Sequence, residues 1–168
     1  MSELKNTSPT SPPAKRSAKA SRQNDPCSVA RALNDVGDWW SLLIVRQAMY
    51  GTRRYGDFQK QLGIAKNILC DRLTRLVNNE VLKKVDIGEH GQRFEYRLTE
   101  KGKDLFPVLV ALRQWGDKWN REDGDAPVRL VDRRLGLPVQ RIQVLDEEGQ
   151  PLTVSDVLSF NLPEIVAE

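Results

Sequence analysis

Residues 53–98 read RRYGDFQKQLGIAKNILCDRLTRLVNNEVLKKVDIGEHGQRFEYRL, and they contain the most informative pattern in the chain. A short helical pattern around Gly56–Gln61 is followed by Gly63, a residue type that favours turns. A longer helical pattern runs from Ala65 to Asn78, with one apolar stripe and a polar face opposite to it. The stretch therefore predicts two helices that meet at a glycine turn.

Two strand-like segments follow the second helix. The residues of Val81–Ile87 and Gln92–Leu98 alternate in character as in a β-strand, and the two segments flank Gly88-Glu89-His90-Gly91. This pattern predicts a basic β-hairpin. Two helices joined at a turn and followed by a hairpin are the layout of a winged helix-turn-helix. We therefore predict a mainly α fold with a small β-hairpin wing, of the α+β class. This layout points to double-stranded DNA as the partner.

Further helices are predicted on both flanks. Asp25 and Pro26 suit the N-cap and first position of a helix that stops at Gly37. Asp38 can then cap a helix over residues 39–49. After the hairpin, Thr99 can cap a helix that continues to Phe106, where Pro107 kinks or restarts it. The apolar residues of the following segment recur at helical spacing: Val108, Leu112, Trp115 and Trp119.

Charge is distributed unevenly along the 168 residues, whose formal net charge is +3. Residues 1–25 hold five basic residues against two acidic ones, residues 26–122 hold 17 against 12, and residues 123–168 hold four against nine. A basic body with an acidic end suits a module that binds a polyanion, followed by a segment that does not touch it.

Three segments are predicted from these patterns. Residues 1–24 have almost nothing to bury, so we expect a disordered basic tail, either merely solvated or adding non-specific phosphate contacts. Residues 25–122 are expected to form the winged-helix DNA-binding and dimerisation domain. Residues 123–168 show short strand-like runs around a turn at Glu148-Gly149, which predicts a small β-rich C-terminal extension.

Cysteine content and hydropathy indicate the compartment. Two cysteines, Cys27 and Cys70, are too few for a disulfide scaffold, which favours a reducing environment. No apolar stretch has the length of a membrane span, and the N-terminus lacks the apolar core of a signal peptide. We expect a cytoplasmic protein without a membrane partner, associated with the nucleoid when bound to DNA.

Six groups of residues, spread over just over half of the chain, together match the sequence pattern of one known protein family. They are Cys27 with Val29-Ala30, Gly37 with Trp40-Ser41-Leu42-Leu43-Ile44, Arg54-Tyr55 with Asp57-Phe58, Ile68-Leu69 with Arg72-Leu73, Glu95-Tyr96-Arg97-Leu98-Thr99 with Lys101-Gly102, and Trp115-Gly116. In this order they resemble the HxlR family of bacterial transcriptional regulators, winged-helix proteins related in architecture to MarR. The resemblance implies a homodimer on an inverted-repeat operator, acting as a repressor where that site overlaps a promoter.

The chain departs from the family pattern at several positions. Ser28 stands where members often have Pro, Asp38 interrupts a Gly-Gly-basic run, and Ala65 replaces a capping Ser. Some members carry Cys and His at zinc-ribbon-like spacing in the tail. This chain has Leu135, Leu137, Leu145 and Glu148 there, which cannot form a tetrahedral zinc site. We therefore expect no metal and no cofactor.

The helix from Ala65 to Asn78 is predicted to enter the major groove. Lys66 and Asn67 lie in its first turn, where base contacts are usual, and Asn67 could pair with adenine. Thr74 and Arg75 are expected at the backbone, and Cys70 on the groove side. Asp71 either accepts a hydrogen bond from a cytosine amine or orients a neighbouring base-contacting side chain.

Other basic residues are predicted to support this contact. Arg93, with Gln92 beside it, is the wing candidate for phosphate or minor-groove contact. Arg53 and Arg54 are predicted to clamp the backbone, although each could be a solvated charge. Arg72 is predicted to be structural and to pair with an internal acid. His90, a lone histidine in the turn, is expected to be solvated.

Dimerisation and sensing are predicted outside the central stretch. The predicted dimer interface comprises Val29, Leu33, Leu112, Trp115 and Trp119; the alternative is that these residues pack inside one subunit. In some HxlR relatives, a cysteine at the position of Cys27 senses oxidants or electrophiles. A helix N-terminus favours its thiolate form, whereas Asp25 and burial oppose it. The sequence thus raises an oxidant or a small-molecule effector as a hypothesis.

The residue pattern leaves two function classes other than a DNA-binding regulator. Cys27, His90 and an acid could in principle form a thiol active site, but they fall in different parts of the predicted fold, so we expect no enzyme. A winged-helix module that contacts protein or RNA without operator specificity is the alternative. The basic wing favours duplex DNA over that alternative.

Overall fold

A computed structural model describes residues 25–88, 93–120 and 130–158 of the chain. The described helices and strands are α1 (Ser28–Val36), α2 (Trp39–Met49), α3 (Tyr55–Leu62), α4 (Lys66–Asn78), β1 (Leu82–Asp86), β2 (Phe94–Leu98), α5 (Glu100–Lys103) and α6 (Phe106–Trp119). They fall into two compact units that divide between Lys103 and Asp104. The predicted tail, residues 1–24, lies outside the described residues.

The start of α1 corrects the sequence prediction. Asp25 was predicted to be the N-cap, but α1 begins at Ser28 and Cys27 is its N-cap. The Asp25 carboxylate instead accepts a hydrogen bond from Cys27 N at 2.9 Å. Arg31 Nη1 donates to the carbonyl oxygens of Asp25 and Pro26, at 2.7 and 3.0 Å. Because these carbonyls are bound by a side chain, the backbone enters the helix two residues later.

The boundaries of the next helices confirm the predictions. Gly37 ends α1, and the Asp38 side chain caps α2 by accepting from Ser41 N at 3.0 Å. Gly63 has a φ of +61°, a left-handed conformation that glycine adopts without strain, and it separates α3 from α4. Helix α4 starts one residue after Ala65, which is an N-cap without a side-chain hydrogen bond.

The core of the first unit lies between α2, α3, α4 and the start of β1. Its apolar members recur at helical spacing, so each helix buries one face. Phe58 of α3 is fully buried, and its ring meets that of Tyr96 edge-on at 6.5 Å between centroids. The other fully or nearly fully buried apolar residues include Ile44, Val45, Ala48, Ile64, Leu69, Leu73, Leu76, Val81 and Leu82.

The wing is a two-stranded antiparallel sheet in which Leu82 pairs with Leu98 and Asp86 with Phe94. Tyr96 N donates to Arg53 O at 2.8 Å, which ties β2 to the segment before α3. Lys84 Nζ lies 3.7 Å from the centroid of the Phe94 ring, a cation–π contact across the two strands. The wing therefore has a defined base, while the turn residues 89–92 lie outside the described residues.

The segment after β2 corrects a second prediction. The helix predicted to continue to Phe106 ends at Lys103. The restart predicted as one alternative at Pro107 is confirmed, because Pro107 lies in the first turn of the separate helix α6. Proline suits that position because its missing N–H has no helical partner there. Thr99 is confirmed as a cap, since its Oγ1 accepts from Gly102 N at 3.1 Å. A Cβ on Gly102 would lie 2.2 Å from Val81 O, so only glycine allows this approach.

The second unit contains α6 and the described part of the C-terminal extension. The β-structure of residues 130–158 consists of two isolated bridges, Val131 with Pro138 and Leu145 with Pro151. The predicted turn is present, because Gly149 N donates to Asp146 O at 3.1 Å. Gln114 of α6 binds the extension through Gln140 O at 2.9 Å and Ile142 N at 2.8 Å. No group of metal-binding side chains occurs among the described residues.

Candidate nucleic-acid interface

One face of α4 is exposed along its whole length. Leu69, Leu73 and Leu76 are buried, which turns the opposite side of the helix to solvent. The exposed residues recur at spacings of three and four and include all of the predicted groove-facing residues of this helix except Arg75: Lys66, Asn67, Cys70, Asp71 and Thr74. The structure thus brings these predicted residues together on a single helical surface that a major groove can accommodate.

The N-terminus of α4 is held by a contact that sequence reasoning missed. Tyr55 Oη donates to Lys66 O at 2.8 Å, which links the first residue of α3 to the first residue of α4. No periodicity indicates a hydrogen bond between residues 11 positions apart. Because Lys66 and Asn67 project from this first turn, the Tyr55 contact sets their position relative to the core.

Asp38 connects the cap of α2 to the middle of α4. Its carboxylate accepts from Ser41 N, from Ser41 Oγ at 2.5 Å and from Arg72 Nε at 2.8 Å. The prediction that Arg72 pairs with an internal acid is therefore confirmed. Partial burial raises the pKa of the Asp38 carboxyl, but the Ser41 hydrogen bonds and the charge of Arg72 outweigh it and hold that pKa below its ordinary value.

The predicted backbone-contacting residues differ in their freedom. Arg53 is half-buried, and its Nη1 donates to Ala48 O at 2.6 Å near the end of α2. Arg54 is exposed at the N-cap of α3, and Arg93 is exposed just before β2. Arg75 is half-buried, with Nη1 3.9 Å from Asp38 Oδ2. Arg54 and Arg93 therefore have the freer side chains.

Thr74 and Gln92 are the remaining residues of the predicted site. Thr74 Oγ1 donates to Cys70 O at 2.8 Å, so the hydroxyl is bound to its own helix. Gln92, and with it His90, lies outside the described residues.

Sequence reasoning overlooked Lys83 and Lys84, which are exposed on β1 and place two more charges on the wing. Their position next to each other within an alternating strand was the signal available for them.

The helix pair α3–α4, with its exposed polar face and the adjoining wing, defines a winged helix-turn-helix DNA-binding module. Comparison with known proteins assigns it further. The model of the family described as HxlR-like helix-turn-helix matches residues 35–124. The chain belongs to the HxlR family and is a DNA-binding transcriptional regulator.

A relative in Mycobacterium tuberculosis supports this assignment. It is an uncharacterized HTH-type transcriptional regulator that is 38% identical over 130 residues, covering 77% of this chain and 82% of the relative. The match is longer than the winged-helix segment, so the similarity extends into one or both flanks.

Two solved structures resemble the chain to different extents. PA1607, described as a candidate transcription factor, is 48% identical with a TM-score of 0.78, covering 83% of this chain and 98% of PA1607. The reduced form of the transcriptional regulator YodB from B. subtilis is 30% identical with a TM-score of 0.50, covering 59% of this chain and 98% of YodB. PA1607 therefore aligns with a larger share of this chain than YodB does.

None of the described helices combines the length and hydropathy of a transmembrane span.

Proposed function

We propose that the protein is a homodimeric repressor that binds an inverted-repeat operator through α4. The observation that carries this proposal is the continuous exposed face of α4. The helix itself is fixed to the rest of the first unit by the hydrogen bonds from Tyr55 to Lys66 O and from Arg72 to Asp38. A rigid helix with short polar side chains on one face can read base edges, whereas exposed cations around it contact phosphates without reading sequence. We place its action in the cytoplasm, at the nucleoid.

Within this proposal each residue has a role. Asn67 pairs with adenine, and Lys66 reaches guanine or a phosphate from the same turn. Thr74 and Arg75 lie nearer the backbone, with Cys70 on the groove surface between the two groups. Arg54 contacts the DNA backbone, and Arg93 contacts a phosphate or the minor groove. Arg53 stabilises the end of α2 through Ala48 O. Gln92 belongs to the predicted wing contact.

Replacing Asn67 by Ala is expected to weaken binding to the preferred duplex by about 5- to 150-fold, since a good bidentate base contact contributes roughly 1–3 kcal/mol. The duplex is first obtained by mapping genomic fragments bound by the wild type, and affinity is measured by mobility shift at fixed salt. The matched control is Asn78→Ala, an exposed Asn at the last position of the same helix. Equal affinities of wild type and Asn67→Ala would contradict the role of this residue.

Large apolar side chains that are exposed to solvent on α1 and α6 support the proposed homodimer. Val29 and Leu33 of α1 are 66% and 57% exposed, and Leu112, Trp115 and Trp119 of α6 are 49%, 56% and 63% exposed. Such exposure does not favour the alternative in which these residues pack inside one subunit. Large exposed aromatic residues are typical anchors of protein interfaces, so we propose a second copy as the partner of both surfaces.

Cys27 is proposed as the site of an oxidant response, and a small-molecule effector is the alternative signal. Its thiol is exposed at the N-cap of α1, the helix that carries the proposed interface residues Val29 and Leu33. The solved structure of the similar regulator YodB is of its reduced form. An adduct on Cys27 would lie next to the proposed interface and could change the dimer.

Treatment with diamide is expected to weaken operator binding by wild type, and Cys27→Ser is expected to abolish that response. Mobility shifts with and without diamide, followed by reduction, provide the measurement. Cys70→Ser serves as the comparison because Cys70 is also exposed but lies on α4. If treated and untreated wild type bind equally, Cys27 is no sensor of this class. If Cys70→Ser alone loses the response, the sensor lies on α4 instead.

A further inference from the structure

The exposed face of α4 contains one acid, Asp71, in the middle of the polar surface. Its side chain is 59% exposed, one helical turn from Asn67 and from Thr74. A carboxylate at this place faces a phosphate-lined groove and would be repelled by it. Asp71 therefore opposes general affinity for DNA from the centre of the exposed face of α4, so a specific contact must compensate for its charge.

Arg72 binds two carboxylates at once. Its Nη1 donates to Asp71 Oδ2, and its Nε donates to Asp38 Oδ1 at 2.8 Å. The side chains of Arg72 and Asp38 are only 22% and 21% exposed, and Asp38 is itself held by Ser41. The charge of Asp71 is thus compensated, and its orientation is tied through Arg72 to the cap of α2.

This geometry favours one of the two roles predicted for Asp71. If Asp71 oriented a base-reading neighbour, that neighbour would be Arg72, its hydrogen-bonding partner within the described part of the chain. Arg72 is largely buried and engaged with Asp38, so it is not free to reach a base. Oδ1 of Asp71 accepts no hydrogen bond from the described residues and remains available to the groove.

The chemistry of an acceptor selects the base. In the major groove, cytosine presents the N4 amine as its donor, whereas adenine presents its N6 amine beside the N7 acceptor. A carboxylate only accepts, so N7 of adenine repels it and the acceptors of guanine and thymine do likewise. Among the four bases, cytosine offers a donor without an adjacent acceptor on the same base.

We infer that Asp71 accepts a hydrogen bond from the N4 amine of one cytosine in each operator half-site, with Arg72 and Asp38 as positioning residues. The inference rests on the proposed operator binding through α4. The carboxylate lowers affinity for duplexes that lack this cytosine and thereby adds specificity.

The test is selection of bound duplexes from a randomised pool by wild type, Asp71→Ala and Asp71→Asn. Wild type is expected to select a C·G pair at one position of each half-site with a roughly 5- to 150-fold preference. Asp71→Ala is expected to lose the preference at that position alone and to bind the other duplexes more tightly, because phosphate repulsion is removed. Asp71→Asn is expected to shift that position towards adenine, since an amide both donates and accepts.

Positioning is tested by Arg72→Gln and Arg72→Lys, with Asp57→Asn as the control at an exposed acid of α3. Arg72→Gln is expected to reduce discrimination at the cytosine position without moving the footprint, and Arg72→Lys to restore part of it. The control is expected to leave the selected sequence unchanged. Retention of the full cytosine preference by Asp71→Ala would overturn the inference while operator binding stands. Failure of wild type to select any sequence would overturn the proposed function and the inference together.

Discussion

Replacing Phe58 by Ala is expected to lower the free energy of unfolding by about 3–5 kcal/mol, as for other large aromatic side chains removed from a core. Phe58 is fully buried, and its ring makes an edge-on contact with Tyr96 of β2. The loss combines the hydrophobic transfer free energy of the removed ring atoms with the cost of the cavity that remains beneath α3. It is a large share of the total stability of an ordinary domain, roughly 5–15 kcal/mol, so the variant should unfold at much lower denaturant concentration.

Denaturant unfolding followed by circular dichroism measures this loss. Phe58→Leu is the matched control, because it keeps an apolar side chain at the same position and should lose less than half as much. Phe58→Ala should also disturb the proposed DNA-binding surface, since Phe58 lies on α3 and its ring contacts that of Tyr96 in the wing. If Phe58→Ala unfolded at the same midpoint as the wild type, the assignment of this core would be wrong.

The double substitution Leu112→Ser and Trp115→Ser is expected to convert the proposed dimer to a monomer. Both side chains are about half exposed on α6 and are large apolar residues, so their removal eliminates proposed anchors without opening a core. The molar mass measured by light scattering should fall from twice the chain mass to 19.1 kDa. Because two linked half-site contacts reinforce each other, affinity for the inverted repeat should fall by roughly 100- to 10,000-fold.

The control for the double variant is Val154→Ser, which removes a side chain that is 92% exposed in the C-terminal extension. It should leave both the mass and the operator affinity unchanged. A wild type that already scatters as a single chain at micromolar concentration would contradict the proposed dimer. A double variant that remains dimeric would place the interface elsewhere, and α1 would be the next surface to vary.

Local signals were sufficient for most of the fold. The apolar period of α4, the glycine at its start and the capping Asp38 are properties of neighbouring residues, and the structure has them where they were predicted. Local rules failed where a side chain competed for the backbone. At α1, Arg31 binds the carbonyls of Asp25 and Pro26, and the helix starts at Ser28.

The sequence predicted which residues of the candidate site are exposed, but it did not predict their hydrogen-bond partners. Periodicity identified the exposed residues of α4, because a helix that buries one stripe must expose the opposite one. The bond from Tyr55 to Lys66 and the use of Arg53 at the end of α2 are contacts between different elements. Residue type alone does not distinguish such an arginine from one that is free to bind phosphate.

Sequence patterns were enough to predict the winged-helix class, the extent of α4 and an acidic partner for Arg72. The packing of the folded chain makes Asp38, 34 residues away, that partner, and it lets the same guanidinium also bind Asp71. These contacts differ from the predicted features in their range. Helical periodicity and capping act over a few residues, whereas the pairing of two charges depends on how α2 and α4 pack.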